Sequence, residues 1–188
     1  MNKAAFVALG ALALSSVSCG SSTKPPAAPE AAKSKADITR VLDEWHAAAA
    51  HADEAAYFAK FAPGAVFLGT DPTERWTLES FRSYAHPHFA KGKAWSFKAT
   101  RREITVGPGG NVAWFDEDLS TENLGPARGT GVVVFGGTDE KWRIAQYSLS
   151  VPIPNDKMDA VKKLVASDLA ILRHTPRASR DERAERAR

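Results

Sequence analysis

At Trp95 the chain changes its period. Before it, apolar residues recur every three or four positions: Ile38, Val41, Leu42, Trp45, Ala48, Ala49 and Ala52 form one stripe behind a capping Asp37. That is the pattern of a helix with one buried side. After it, side chains alternate through "AWSFKATRREITVG", "VAWFDEDLST", "ARGTGVVVFGG" and "WRIAQYSLSVPI", separated by "PGGN", "NLGP" and "GGTDEK". Turn-separated runs of period two predict an antiparallel meander. A chain with helices first and strands second is expected to be α+β, with the helices on one face of the sheet.

The remaining elements follow from local signals. Asp53 is placed to cap a short second helix through Tyr57, Phe58 and Phe61, which Pro63-Gly64 breaks. "AVFLG" reads as a short strand. Thr77 opens a third helix, "TLESFRSYAHPHFAKG", with Leu78, Phe81 and Tyr84 or Ala85 inward; Pro87 bends or ends it and Gly92 closes it. Pro152 and Pro154 end the sheet. Asn155 or Asp156 is then expected to cap a last amphipathic helix, 156–174, with Met158, Val161, Leu164, Val165, Leu169 and Leu172 on one side.

The two ends are not domain. Lys3 followed by the apolar run Ala4 to Leu14 has the form of a secretory signal, 1–18, and is too short to span a bilayer, which takes about 20 apolar residues. Cys19 is the only cysteine, so no disulfide can form within one chain. Its position, with Val17 and Ser18 before it and Gly20-Ser21-Ser22 after, resembles a bacterial lipoprotein lipobox, although Ser16 stands where a leucine is usual. The resemblance implies acylation of Cys19, a lipid bilayer as partner and, because Gly20 is not an aspartate, the periplasmic side of the outer membrane. Residues 19–35, rich in Ser, Pro and Ala, read as a tether. The tail 175–188 alternates arginines with acids and has no aromatics, which gives nucleic acid no stacking platform.

Between the ends, residues 36–155 resemble the SnoaL-like branch of the nuclear transport factor 2-like superfamily. The resemblance rests on the element order and on "GTDPTERW", "LESFRSYAHPHF", "GKAWSF", "VAWFDEDL", "RGTGVVV" and "WRIAQYSLSVPIPND". It implies a cone: a strongly curved antiparallel sheet packed on three helices, with a pocket at the open end and frequent dimerisation through the sheet. Its members range from isomerases, dehydratases and cyclases to binding subunits, so the fold does not choose a reaction.

Several chemistries are excluded or unsupported. The histidines, His46, His51, His86, His88 and His174, show no three-ligand spacing and read as surface residues. No metal and no cofactor are expected. "VGPGGN" and "VFGGTD" lead into strands rather than helices, so neither is a phosphate loop. Cys19 lies outside the domain, and no serine sits on a nucleophile elbow.

The carboxylates Asp71, Glu74, Asp116 and Glu117 are the remaining candidates. Alternation puts Val112, Trp114, Asp116 and Asp118 on one face of their strand and Ala113, Phe115, Glu117 and Leu119 on the other. If the first face is concave, Asp116 stands in an apolar cavity. Desolvation would then raise its pKa and suit it to general-base work, or an arginine (Arg75, Arg101 or Arg128) would lower it. A cross-strand Asp116–Arg128 pair that orients a ligand is the favoured expectation, with Asp116 as a base the alternative. Trp76, Tyr84, Phe89, Trp95 and Trp114, with Asp116, Arg128 and Gln146, are expected to line a mostly apolar pocket. Asp71, Glu74 and Arg75 would form its rim, where Asp71-Pro72 favours a turn. Three functions follow: a membrane-anchored binding domain for a small, partly apolar molecule; an isomerase, dehydratase or cyclase using Asp116; or a homodimerising module.

Overall fold

The computed structural model describes residues 28–174. The signal segment, Cys19, the linker up to residue 27 and the tail 175–188 lie outside the described residues. Helix α1, Ala28–Ala50, begins inside the stretch read as a tether. The alanines, Glu30 and Lys33 are good helix formers, and Pro29 falls in the first turn, where a missing N–H leaves no bond unmade. Helix α2, Glu54–Phe58, is capped by Asp53, whose carboxylate accepts the Ala56 N–H at 2.9 Å. Strand β1, Phe61–Leu68, follows. Pro63-Gly64 does not precede this strand but lies within it, where the pairing register shifts between Phe61 and Val66.

A three-residue strand, β2 (Arg75–Thr77), pairs antiparallel with β1 and was not foreseen in the sequence. Helix α3, Leu78–Ala90, is capped as expected: Thr77 Oγ1 accepts the Ser80 N–H at 3.2 Å. Pro87 lies inside α3 without ending it. The meander is β3 (Phe97–Val106), β4 (Val112–Thr121), β5 (Gly125–Gly136) and β6 (Lys141–Ser150). A 3-10 turn, Asn155–Lys157, leads into α4, Met158–His174. Pro154, not Asn155 or Asp156, occupies the cap of that turn, with no side-chain capping bond. Met158, Leu164 and Val165 of α4 are exposed.

The strands form one six-stranded sheet in the order β2-β1-β6-β5-β4-β3, curled and unclosed. It is mixed rather than wholly antiparallel, because β1 joins the free edge of β6 running in the same direction. Ile38, Leu42, Trp45 and Ala49 of α1 are buried, as are Phe81, Ala85 and Phe89 of α3. The interior of the cone is filled by rings: Trp45 lies 4.7 Å from Tyr147 and 5.2 Å from Tyr57, and Phe67 stacks on Phe81 at 4.0 Å.

The alternation along β4 is as expected, but the concave face is the other one. Ala113, Phe115, Glu117 and Leu119 are buried, whereas Trp114 is 50% exposed and Asp116 and Asp118 face outward. A lone glutamate looks like the solvent side in a sequence. Here it is compensated by partners on three other elements, which alternation along one strand cannot reveal. Gly129 of β5 makes room for it: a Cβ there would collide with the Tyr147 hydroxyl and press on Glu117.

Candidate functional site

Glu117 is fully buried, and its carboxylate is the hub of a polar network. One oxygen lies 2.8 Å from His46 Nε2 and accepts the Tyr147 hydroxyl at 3.0 Å. The other accepts Arg102 Nε at 2.8 Å. Arg102 Nη2 is also 2.8 Å away, but off-line, so it adds charge rather than a directed bond. Arg102 Nη1 donates to Asp43 Oδ1 at 2.8 Å and to the Thr39 carbonyl at 3.3 Å. Burial, the largest single influence, pushes the Glu117 carboxyl up. The bond to His46 and the charges of His46 and Arg102 together outweigh it and hold the group below the usual carboxylate range. Burial and the nearby Glu117 charge raise the Tyr147 phenol, so it remains a neutral donor. His46, read in the sequence as a surface residue, is therefore a buried member of this network.

Above the network, at the open end of the cone, lies a cavity of about 220 Å³. Its wall comprises Phe67, Gly69, Thr70 and Glu74 from the end of β1 and the following turn, and Trp76 from β2. Phe81, Tyr84 and His88 come from α3; Ala94, Trp95 and Phe97 lead into β3; Asn123, Leu124 and Leu149 complete it. None of His46, Arg102, Glu117 and Tyr147 belongs to this lining, and Phe97 packs on His46 with ring centroids 6.2 Å apart. The network is therefore beneath the cavity floor. Burial, then the charge of Glu74, raises the Tyr84 phenol and keeps it protonated. Two larger hollows lie elsewhere. One, of about 490 Å³, is lined by Asp37, Arg40, Glu44, Lys60, Asp139 and Arg143, whose charges are already paired with one another. The other, of about 620 Å³, runs along Phe61, Leu78 and Phe135.

The sequence-based pocket divides in two. Trp76, Tyr84 and Trp95 line the cavity together with Glu74. Phe89 is buried behind it, 5.4 Å from the Trp95 ring. Trp114, Asp116, Arg128 and Gln146 are on the convex face and reach nothing in the cavity. The expected Asp116–Arg128 pair is replaced by an outer cluster. Arg101 donates to Asp116 at 2.8 Å and to Asp118 at 2.9 Å, while Arg128 stands opposite Asp118 in register, with its Nε 3.7 Å from that carboxylate. The bond from Arg101 holds the Asp118 carboxyl below its ordinary range. Asp116 thus has no access to a ligand in the cone. At the rim, Asp71 accepts the Thr73 N–H at 2.8 Å and the Glu74 N–H bonds the Asp71 carbonyl at 3.0 Å, closing the expected turn; Arg75 is exposed. Thr70 lies in the quoted rim turn and Leu149 in the alternating run of β6 without either being singled out, and Asn123 carries no periodic signal. Among the described residues no three His, Cys, Asp or Glu side chains converge as a metal site would require, and no helix is long and apolar enough to cross a membrane.

Comparison with known proteins agrees with this architecture. Residues 38–154 match the SnoaL-like domain. No curated protein matches the chain. Among solved structures, a nuclear transport factor 2-like protein of unknown function from Pseudomonas putida superposes with a TM-score of 0.56 at 12% identity, covering 67% of this chain and 92% of that one. A cystatin-like fold protein from Burkholderia xenovorans gives 0.53 at 19% identity over 65% and 95%. A protein provisionally described as a scytalone dehydratase, from Novosphingobium aromaticivorans, gives 0.54 at 10% identity over 65% and 86%. At these identities the likeness concerns the fold alone.

The network has a measurable signature. The folded-state pKa of Glu117 is lowered, so its stabilisation is complete above the ordinary glutamate value of 4.5 and fades as pH falls through the lowered one. Glu117→Gln is expected to cost about 3 kcal/mol at neutral pH, because Arg102 loses the charge it was buried against. It should also flatten the acid limb of the stability curve. Urea denaturation of both proteins from pH 7 down to pH 3 measures the two effects.

Proposed function

Because the chain belongs to the SnoaL-like domain family, whose fold hosts both enzymes and binding proteins, we propose on the geometry of its cone that it is a non-catalytic domain binding a small, partly apolar molecule at the cone mouth. The observation that supports this is a separation: the strongest acid–base cluster is sealed under the cavity floor with both Glu117 oxygens engaged, and none of its members lines the cavity. A base must reach the proton it takes, within about 3 Å or through one water. Asp116 faces away, and Glu117 is held ionised by its own partners. The cavity is smaller than the roughly 300–1,000 Å³ common for ligand sites, so the part of the ligand it encloses is about one ring or a short branched chain.

Native mass spectrometry of protein purified from its own cell envelope is expected to show a retained small molecule. Trp76→Ala, which removes one aromatic wall from the rim, should weaken rebinding roughly tenfold while leaving the melting temperature within a few degrees. Retention undiminished by that change would place the ligand elsewhere.

The reading includes an anchor. The lipobox-like run before Cys19 supports acylation and an envelope location. Growth with an alkyne-tagged palmitate should label the full chain but not Cys19→Ser, and absence of label on the parent would remove the anchor.

A second reading is favoured by the convex face. Val112 and Trp114 are 38% and 50% exposed on β4, and half-buried Val134 and Val132 stand opposite them on β5, a contiguous apolar patch of the kind that marks protein interfaces. Homodimerisation through this patch predicts that light scattering finds a dimer, converted to monomer by Trp114→Glu. A parent protein that is monomeric at high concentration rules it out.

A further inference from the structure

The mouth cavity has an electrostatic character that size and apolarity alone do not describe. Glu74 is its only acidic residue, and no lysine or arginine lines it. Among the described residues none forms an ion pair with Glu74; the Asp71 N–H donates to its Oε2 at a long 3.2 Å, which leaves most of the carboxylate's accepting capacity unused. The carboxylate fits against Gly69, where any Cβ would collide with Oε2, so glycine at that position lets an acid stand at this wall.

Beside it runs an unbroken arc of rings. Trp76 and Tyr84 lie 5.0 Å apart, Tyr84 and His88 5.4 Å, and His88 and Trp95 6.4 Å. Tyr84 is 45% exposed, so this arc is not simply core packing. The faces of aromatic rings carry partial negative charge, and a cation within about 6 Å of them is attracted. A carboxylate without a counter-ion makes the same surface unfavourable to anions and favourable to cations.

Building on the binding reading above, we propose that the ligand carries a positively charged amine, of the tertiary or quaternary ammonium class, with the charged end enclosed by Trp76, Tyr84 and Trp95 against Glu74. Bulky alkylated nitrogen suits the site better than a bare ammonium. Its methyl groups fill the apolar part of the cavity, and it needs no array of hydrogen-bond acceptors, of which the wall offers few.

The test uses two small molecules of nearly identical shape: choline, and 3,3-dimethylbutan-1-ol, in which carbon replaces the charged nitrogen. Phenol serves as a neutral aromatic control. Isothermal titration calorimetry of the full chain is expected to show choline binding roughly tenfold tighter than its carbon isostere. Glu74→Gln, checked for an unchanged circular dichroism spectrum, should erase most of that difference. Equal binding of the two isosteres, tighter binding of the alcohol, or a preference for choline that survives Glu74→Gln would each overturn the cation assignment. Binding of phenol with no binding of choline would overturn it too, while leaving the pocket itself intact. If none of the three binds, the pocket reading fails and the cation assignment fails with it.

Discussion

The Glu117 carboxylate, buried on β4, is bonded at once from α1 through His46, from β3 through Arg102 and from β6 through Tyr147. An ionised group removed from water is costly unless paired and fully hydrogen-bonded. Only one arrangement of the helix and three strands supplies all of these partners. The network therefore ties α1 to the register of the three strands. Gly129 is part of the same constraint, since β5 can pass over the Glu117–Tyr147 bond only without a side chain.

The cavity follows from what this anchoring leaves unfilled. Trp45, Tyr57 and Tyr147 fill the interior, and the mouth cavity remains where β2, α3 and the entry to β3 diverge. The aromatics there serve two purposes. Trp95 packs inward on Tyr57 at 5.5 Å and Phe81 at 6.1 Å while its remaining surface lines the cavity. The wall is thus held by the core itself, which limits the reorganisation a ligand would demand on entering.

Element types were legible in the sequence because they depend on neighbours along the chain. The caps at Asp53 and Thr77 could be read off directly, and so could the period change at Trp95. The half of the site carried by Trp76, Tyr84 and Glu74 was legible for the same reason: a turn followed by a capped helix fixes where they point. Orientation of β4 was not. Whether Asp116 or Glu117 faces the core depends on His46 and Arg102, the first 71 positions away, and on the glycine that makes the space. Both faces of β4 carry one large aromatic and at least one acid, so hydrophobicity alone leaves the choice nearly balanced. Likewise β2 is too short to have a period, and the parallel pairing of β1 with β6 leaves no local trace.

That parallel pairing governs the order in which the molecule can come together. Phe67 lies beside Tyr147, so β1 gains its second neighbour only after a loop of about 80 residues is closed. Until β6 arrives, β1 and β2 stay apart from the rest of the sheet, and Glu117 lacks one of its three bonding partners. The hairpins from β3 to β6 rest on local contacts, whereas joining β1 to β6 requires that long loop to close. Such a chain is expected to fold slowly for its size, with its aromatic interior open to other chains in the meantime.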